Sequence, residues 1–129
     1  MRRVGRILLS LRPEWADAIY RREKRVEFRR QRVRVEPGDL VVIYETHPVG
    51  LVTGEFVVRA VHYGPPRDIK KLESDLRRAR SVAMYLRGAR VATALEIARP
   101  RRYGRRQTLA KYKVSNAPMS YLRLSDVSR

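Results

Sequence analysis

Lys24, Glu27 and Arg29 are the residues whose types and spacing best suit chemistry. They lie in the run Glu23-Lys24-Arg25-Val26-Glu27-Phe28-Arg29. A lysine binds a phosphate or a carbonyl oxygen, and a glutamate accepts hydrogen bonds from a base edge or serves as a general base when its pKa is raised. Because the run alternates like a strand, Arg29 shares a face with Glu27 and would keep its carboxylate ionised. By pattern alone, the commoner alternative is a surface ladder of charges that adds little stability.

Ser10, Arg12 and Tyr44 are further candidates for a binding site. Ser10 and Arg12 precede a predicted helix that begins at Pro13, and the free N–H groups of a helix N-terminus can bind an anion. Tyr44 ends a predicted buried strand and is a candidate for stacking on a base. For each of these three residues, the alternative is a role in the structure without any ligand. Ser10 would bond the adjoining backbone, Arg12 would be a solvated cation and Tyr44 would belong to the core.

Arginine dominates the charge of the chain. Thirty Lys and Arg against 13 Asp and Glu give 129 residues a net charge of +17. Nucleic acid is the partner that this charge favours, because neutralised phosphates release their condensed counterions. Guanidinium groups also bind phosphate through a planar fork and stack on bases. The alternatives are a membrane surface, or a basic composition that reflects the genome alone.

Two segments concentrate the basic residues. The first includes Arg21, Arg22, Arg25 and Arg29. The second has no acidic residue between positions 97 and 123, and it includes Arg99, Arg101, Arg102, Arg105 and Arg106. Tyrosines at positions 103, 112 and 121 are interleaved with the second segment, a combination that can hold phosphates and stack bases. For each single tyrosine, packing on the core is the commoner alternative.

Several classes of function are excluded by composition. The chain has no cysteine, which excludes disulfides, thiolate catalysis and Cys-based metal sites. Two histidines, and no metal-ligand spacing, Gly-rich phosphate loop or nucleophile elbow, predict that no metal or cofactor is bound. No apolar run approaches the roughly 18 residues of a membrane span, and the stretch at residues 7–9 is too short for a signal peptide. We therefore expect a cytoplasmic protein with no membrane partner.

Hydrophobic patterning predicts an α+β fold for a single domain over residues 1–129. Strands are predicted at residues 6–11, 25–29, 40–44, 51–63, 91–98 and 121–124. Helices are predicted from Pro13, over residues 68–79 and from an N-cap at Ser81 to position 87, with a helical turn at 108–112. Pro100 is expected to end the fifth strand, and Gly54 to mark a bulge or a close backbone approach. This order of strands and helices predicts a small mixed β-barrel of five or six strands with flanking helices.

The chain resembles the ASCH domain family along nearly its whole length. The opening run Leu9-Ser10-Leu11-Arg12-Pro13 with its helix, and then residues 23–29, are similar to the family's Leu-Ser-x-Lys/Arg-Pro and Gly-x-Lys-x-x-Glu-x-Arg elements. Residues 44–48 followed by Gly54-Glu55, residues 95–97, and residues 118–121 resemble its later elements. The sequence departs from the family where Arg22-Glu23 displaces the usual glycine and where Arg25 replaces a common threonine.

The resemblance implies a PUA-like β-barrel with a cleft beside the first helix, and roles linked to RNA. It places Lys24 and Glu27 in that cleft, with Tyr44 and Thr46 at its flanks. One branch of the family is associated with amide hydrolysis of acylated cytidine through a lysine and a hydroxyl three residues later. In this chain Glu27 stands at the position of that hydroxyl.

Three functions follow as hypotheses. The first is a nucleic-acid-binding module, with RNA ahead of DNA, in which a nucleotide enters the cleft. The alternative is a hydrolase that acts on a modified nucleoside or RNA, with Lys24 and Glu27 as catalytic residues. A third is a basic subunit of a ribonucleoprotein without a ligand specificity of its own. The sequence leaves the oligomeric state open.

Overall fold

The computed structural model describes residues 4–124, which form one six-stranded sheet and three α-helices. The strands are β1 (Arg6–Leu11), β2 (Val26–Arg29), β3 (Leu40–Glu45), β4 (Leu51–Gly64), β5 (Ala92–Gln107) and β6 (Tyr121–Leu124). The helices are α1 (Pro13–Tyr20), α2 (Pro66–Ile69) and α3 (Leu76–Leu86), with 3-10 turns at Lys70–Leu72 and Leu109–Tyr112. The predicted α+β class is confirmed.

The sheet is mixed and curls into a half-barrel. Its strand order is β2-β5-β4-β3-β1-β6. Only β1 and β3 pair in parallel, and every other neighbouring pair is antiparallel. The parallel pair requires a crossover, and α1 lies in that connection between β1 and β3. The edge strands of the sheet are β2 and β6.

The main core lies on the face of the sheet that α1 covers. Ile7 and Leu9 of β1 lie in one cluster with Ile43 of β3 and Phe56 of β4, and all four are fully buried. Ile19 of α1 packs into the same cluster. A separate cluster on the other side of β2 and β5 is covered by α2 and α3, and its members include Phe28, Ile69 and Leu86. The charged residues of β2, Glu27 and Arg29, lie on the face of the strand opposite Phe28.

The predicted helix over residues 68–79 is wrong, and so is the predicted N-cap at Ser81. The chain leaves the helical conformation at Glu73, and Asp75 begins α3 by accepting a hydrogen bond from the Arg77 backbone N–H at 2.9 Å. Ser81 lies inside α3. The apolar spacing of Ile69, Leu72 and Leu76 suggested one helix because it continues across the break. The carboxylate cap decided the start of α3 instead.

β5 does not end before Pro100, which corrects a second prediction. The strand runs on to Gln107 because the β4–β5 register shifts between Glu55 and Val57, whose partners are Arg101 and Ala98. Pro100 and Arg99 thus fall in a bulge, where the missing N–H of proline breaks no ladder bond. Consequently the part of the second basic segment that ends at Gln107, with Arg101, Arg102, Arg105 and Arg106, belongs to a strand.

Candidate functional site

Lys24, Glu27 and Arg29 form a buried charged cluster at the curled edge of the sheet. Lys24 Nζ lies 3.1 Å from Glu27 Oε1, and the Arg29 guanidinium lies 3.1 Å from Glu27 Oε2. The three side chains are only 6%, 5% and 10% exposed, respectively. The surface-ladder alternative is therefore wrong for these residues. Each carboxylate oxygen of Glu27 is bound by one cation.

Arg29 joins the two edges of the half-barrel. From β2 it donates to the backbone carbonyl of Ser10 in β1 at 3.3 Å and to Ser120 Oγ, just before β6, at 3.0 Å. Its Nε is buried and has no hydrogen-bond partner. Because β2 and β6 do not pair directly, this side chain bridges the gap between them. The cluster is a seam of the barrel as well as a candidate site.

The first helix and β2 place aromatic rings around the Lys24 ammonium. The Nζ atom lies 5.9 Å from the ring centre of Trp15 in α1 and 5.5 Å from that of Phe28. Lys24 also donates to the Val26 carbonyl. Cation–π contacts are strongest where the cation has lost water, as it has here. These contacts fix the ammonium beside the first helix.

The other residues expected in the cleft take up separate positions. Ser10 Oγ donates at 2.7 Å to the Pro118 carbonyl, which lies 108 positions along the chain and is not the adjoining backbone expected for it. Arg12 is exposed at the start of α1 and caps no N–H with its side chain. Tyr44 is half-buried against Leu8 and Val52 of a second core cluster. Thr46 is half-buried, and its N–H donates to the Leu11 carbonyl at 2.9 Å.

The basic residues of β5 divide into paired and unpaired groups. Arg101 lies 3.4 Å from Glu55, and Arg102 lies 3.1 Å from Asp17 of α1. Arg105 and Arg106 are exposed and form no ion pair with any acid in residues 4–124. In the first basic segment, Arg21 is paired with Asp17 and with Glu23 on the surface. The charge available to a polyanion is therefore smaller than the sequence count suggests.

The sequence did not predict the buried hydrogen bonds of two tyrosines. Tyr20 Oη lies 2.8 Å from Thr53 Oγ1, which donates to Glu45 at 2.6 Å. Burial raises the pKa of the Tyr20 phenol above its ordinary value of 10.0. Tyr103 donates to Glu55 at 2.7 Å, and burial followed by this contact raises its pKa too. Both tyrosines pack on the core, where Tyr20 binds Thr53 and Tyr103 binds Glu55, so neither offers a free ring for base stacking.

A surface pocket of about 270 Å³ adjoins the charged cluster at Lys24 and Val26. It is lined by Arg22, Arg25 and Arg99, all of which the sequence had singled out. Arg59 also lines it, and no sequence signal pointed to that residue. The pairing of β4 with β5 is what carries Arg59 to the first basic segment. No group of His, Asp and Glu in the described part of the chain is placed to hold a metal ion.

A curled, mixed six-stranded sheet with a polar site beside its first helix defines a PUA-like α+β domain. Residues 9–113 match the model of the ASCH domain family, and the chain belongs to that family. The resemblance seen in the sequence is thereby confirmed. No helix within residues 4–124 is long and apolar enough to cross a membrane.

Solved structures agree with this assignment. The crystal structure of ASCH from Zymomonas mobilis is 26% identical, with a TM-score of 0.76 over 93% of this chain and 87% of that chain. A serine-to-alanine variant of that protein is 24% identical, with a TM-score of 0.78 over 97% and 92%. The N-terminal domain of Staphylothermus marinus McrB shares the fold at 12% identity and a TM-score of 0.51 over 88% and 83%. No curated protein matches the chain.

Proposed function

We propose that this chain is a nucleic-acid-binding module that favours RNA and holds phosphates on an arginine surface. The observation that carries the proposal is the set of exposed arginines that no acid in the described residues pairs with, among them Arg12, Arg22, Arg25, Arg59, Arg99, Arg105 and Arg106. Unpaired cations on a chain of net charge +17 attract a polyanion with little desolvation of existing ion pairs.

The charged cluster is the proposed point of nucleotide recognition. Lys24 and Glu27 offer a donor for phosphate or carbonyl oxygen and an acceptor for a base edge. Their charged atoms bind each other in the free protein, so a ligand must replace one of these contacts. Such an exchange favours a ligand that satisfies both groups at once. The preference for RNA rests on the family.

A salt titration of binding tests the proposal. Single-stranded RNA, duplex RNA and duplex DNA are compared by fluorescence anisotropy at several salt concentrations. For three to five phosphate contacts, the slope of log affinity against log salt on a single strand is expected to be about −2 to −3.5. RNA should bind more tightly than DNA at each salt concentration. Affinity that is unchanged between low and physiological salt would overturn the electrostatic proposal.

A matched pair of variants tests whether binding depends on the position of the unpaired arginines as well as on their charge. Arg105→Gln/Arg106→Gln removes two unpaired charges from β5, whereas Arg87→Gln/Arg90→Gln removes two exposed charges between α3 and β5. We expect the first pair to weaken RNA binding and to make the salt slope shallower by about 1.4, at 0.7 per lost contact. Equal effects of the two pairs would show that net charge alone governs binding.

Hydrolysis of a modified nucleoside is the second candidate function. The buried Lys24–Glu27 contact and the nearby hydroxyl of Ser120 favour it. A nucleophilic water would have to compete with Lys24 and Arg29 for the carboxylate of Glu27, which places hydrolysis behind binding. Incubation with an acylated cytidine tests it. Glu27→Gln should abolish turnover at a temperature where it is still folded, and Arg105→Gln/Arg106→Gln should not affect it.

A further inference from the structure

Four of the ten residues that line the pocket beside the charged cluster are arginines. Arg22 follows α1, Arg25 precedes β2, and Arg59 and Arg99 come from the neighbouring strands β4 and β5. These residues come from three separate parts of the chain, the α1–β2 connection, β4 and β5. The pairing of β2 with β5 and of β5 with β4 brings them to one opening of about 270 Å³. That volume is near the lower end of small-molecule pockets, at about 300 Å³.

The four arginines of the pocket have no partner acid of their own among the described residues. None of the four arginine side chains is in an ion pair or hydrogen bond with another residue of the described chain. The single acid in the lining is Glu96, and its carboxylate lies 2.6 Å from His62 Nε2. Four unpaired guanidinium groups around one opening repel each other. An anion with several oxygens would relieve this repulsion and bind them through charge-assisted hydrogen bonds.

Two of these arginines occupy backbone conformations that disfavour a side chain. Arg22 has a φ of 63° and Arg99 has a φ of 49°. At the end of α1, the Arg22 N–H donates to the Ile19 carbonyl and the Glu23 N–H donates to that of Ala18, the pattern that normally ends on glycine. Arg99 precedes Pro100 in the β5 bulge. Strained residues that cluster at one opening indicate a binding role.

We propose that this pocket binds a phosphate group, either on a free nucleotide or within a nucleic acid strand. The inference deepens the proposed function, because it assigns phosphate recognition to one place beside Lys24. Arginine forks match phosphate oxygens in pairs, and four of them suit a phosphate with two or more free oxygens. A phosphate held there would bring the attached nucleoside next to the charged cluster.

Calorimetric titration with cytidine monophosphate and with pyrophosphate, at fixed ionic strength, tests the pocket. The variant is Arg25→Gln/Arg59→Gln, which changes two exposed side chains, and the control is Arg87→Gln/Arg90→Gln, which removes the same charge elsewhere. We expect about a tenfold or greater loss of affinity in the pocket variant and at most about a twofold loss in the control. Equal losses in both variants, or no binding of either probe by the wild type, would overturn the inference.

Binding of a short RNA by the same proteins separates this inference from the proposed function. If RNA binds with a steep salt slope but the pocket variant behaves like the control, the inference fails and the proposed function stands. If the wild type ignores RNA but binds cytidine monophosphate through the pocket, the inference stands for free nucleotides and the proposed function fails.

Arg22→Gly should change the stability of the protein and its affinity for phosphate in opposite directions. Glycine relieves the strained backbone, so the variant should unfold at a temperature roughly a few degrees higher. It also removes one phosphate ligand, so affinity for pyrophosphate should fall. If Arg22 has only a structural role, Arg22→Gly will raise the melting temperature and leave the affinity for pyrophosphate unchanged. That result would contradict the place of Arg22 in the pocket.

Discussion

At the scale of single residues, Glu27 holds two buried cations in place. Its oxygens lie 3.1 Å from Lys24 and 3.1 Å from Arg29, and Arg29 extends the link to Ser120. The resemblance to the ASCH family identified Lys24 and Glu27 as candidates, and the alternating run placed Arg29 on the face of Glu27, whereas the pattern alone favoured a surface ladder. Their burial was not readable from that run, because it depends on α1 and on the segment that precedes β6. The contact with Ser120 spans 91 positions of the chain.

Loss of the Glu27 charge should destabilise the folded state strongly. Glu27→Gln leaves Lys24 and Arg29 buried without a carboxylate, and breaking a buried pair in this way costs about 3–5 kcal/mol. Urea unfolding measures the difference. The control is Glu23→Gln, which removes an exposed acid paired with Arg21 and should change stability by less than about 1 kcal/mol. Similar values for the two variants would contradict the buried cluster.

Alkaline pH should destabilise the protein through its buried tyrosines. Burial raises the pKa of Tyr20 and Tyr103 above the ordinary value of 10.0, so the folded state holds these protons more tightly than the unfolded state. The stabilisation is complete below pH 10 and is lost as pH rises above it. Denaturant unfolding between neutral pH and pH 11 should show this fall. Tyr20→Phe should make this fall shallower, and a fall as steep as that of the unchanged protein would contradict the contribution of Tyr20.

At the scale of elements, bulges between β4 and β5 decide which residues meet. The register shifts at three places, between Val52 and Gly54, Glu55 and Val57, and Val58 and Ala60. Alternation and apolar runs predicted all six strands within a few residues, apart from the far half of β5. Pro100 normally ends a strand, and the sequence does not reveal that a bulge accommodates it. The break before α3 was missed because the apolar spacing continues through it.

Gly54 should tolerate no side chain where α1 crosses the sheet. A Cβ there would lie 2.4 Å from the Arg101 carbonyl oxygen and 2.5 Å from Tyr20 Oη. Since one of these atoms is backbone, Gly54→Ala should destabilise the protein by about 2–3 kcal/mol. In Gly104→Ala, on the same pair of strands, the Cβ would meet nothing within 4 Å, and stability should be unchanged or raised by up to about 1 kcal/mol. Thermal unfolding compares the two, and equal losses would argue against close packing at Gly54.

At the scale of the whole molecule, the excess of positive charge opposes folding. A net charge of +17 on 129 residues repels itself most strongly in the compact state. Moderate concentrations of sodium chloride screen this repulsion, because the Debye length falls to about 10 Å at 0.1 M salt. The melting temperature at neutral pH should therefore rise between low and physiological salt. A melting temperature that falls or stays constant would mean that local ion pairs outweigh the general repulsion.

The sequence by itself determined the composition of the surface and core, the order of the strands along the chain, and the family. These properties depend on residue type and on short spacing, which a linear pattern contains. The tertiary structure alone decided that Arg59 joins Arg22, Arg25 and Arg99 around one pocket, and that Arg29 closes the seam with Ser120. Strand register, bulges and the curl of the sheet determine which of these residues lie next to each other. They arise from the packing of distant segments, so no local pattern encodes them.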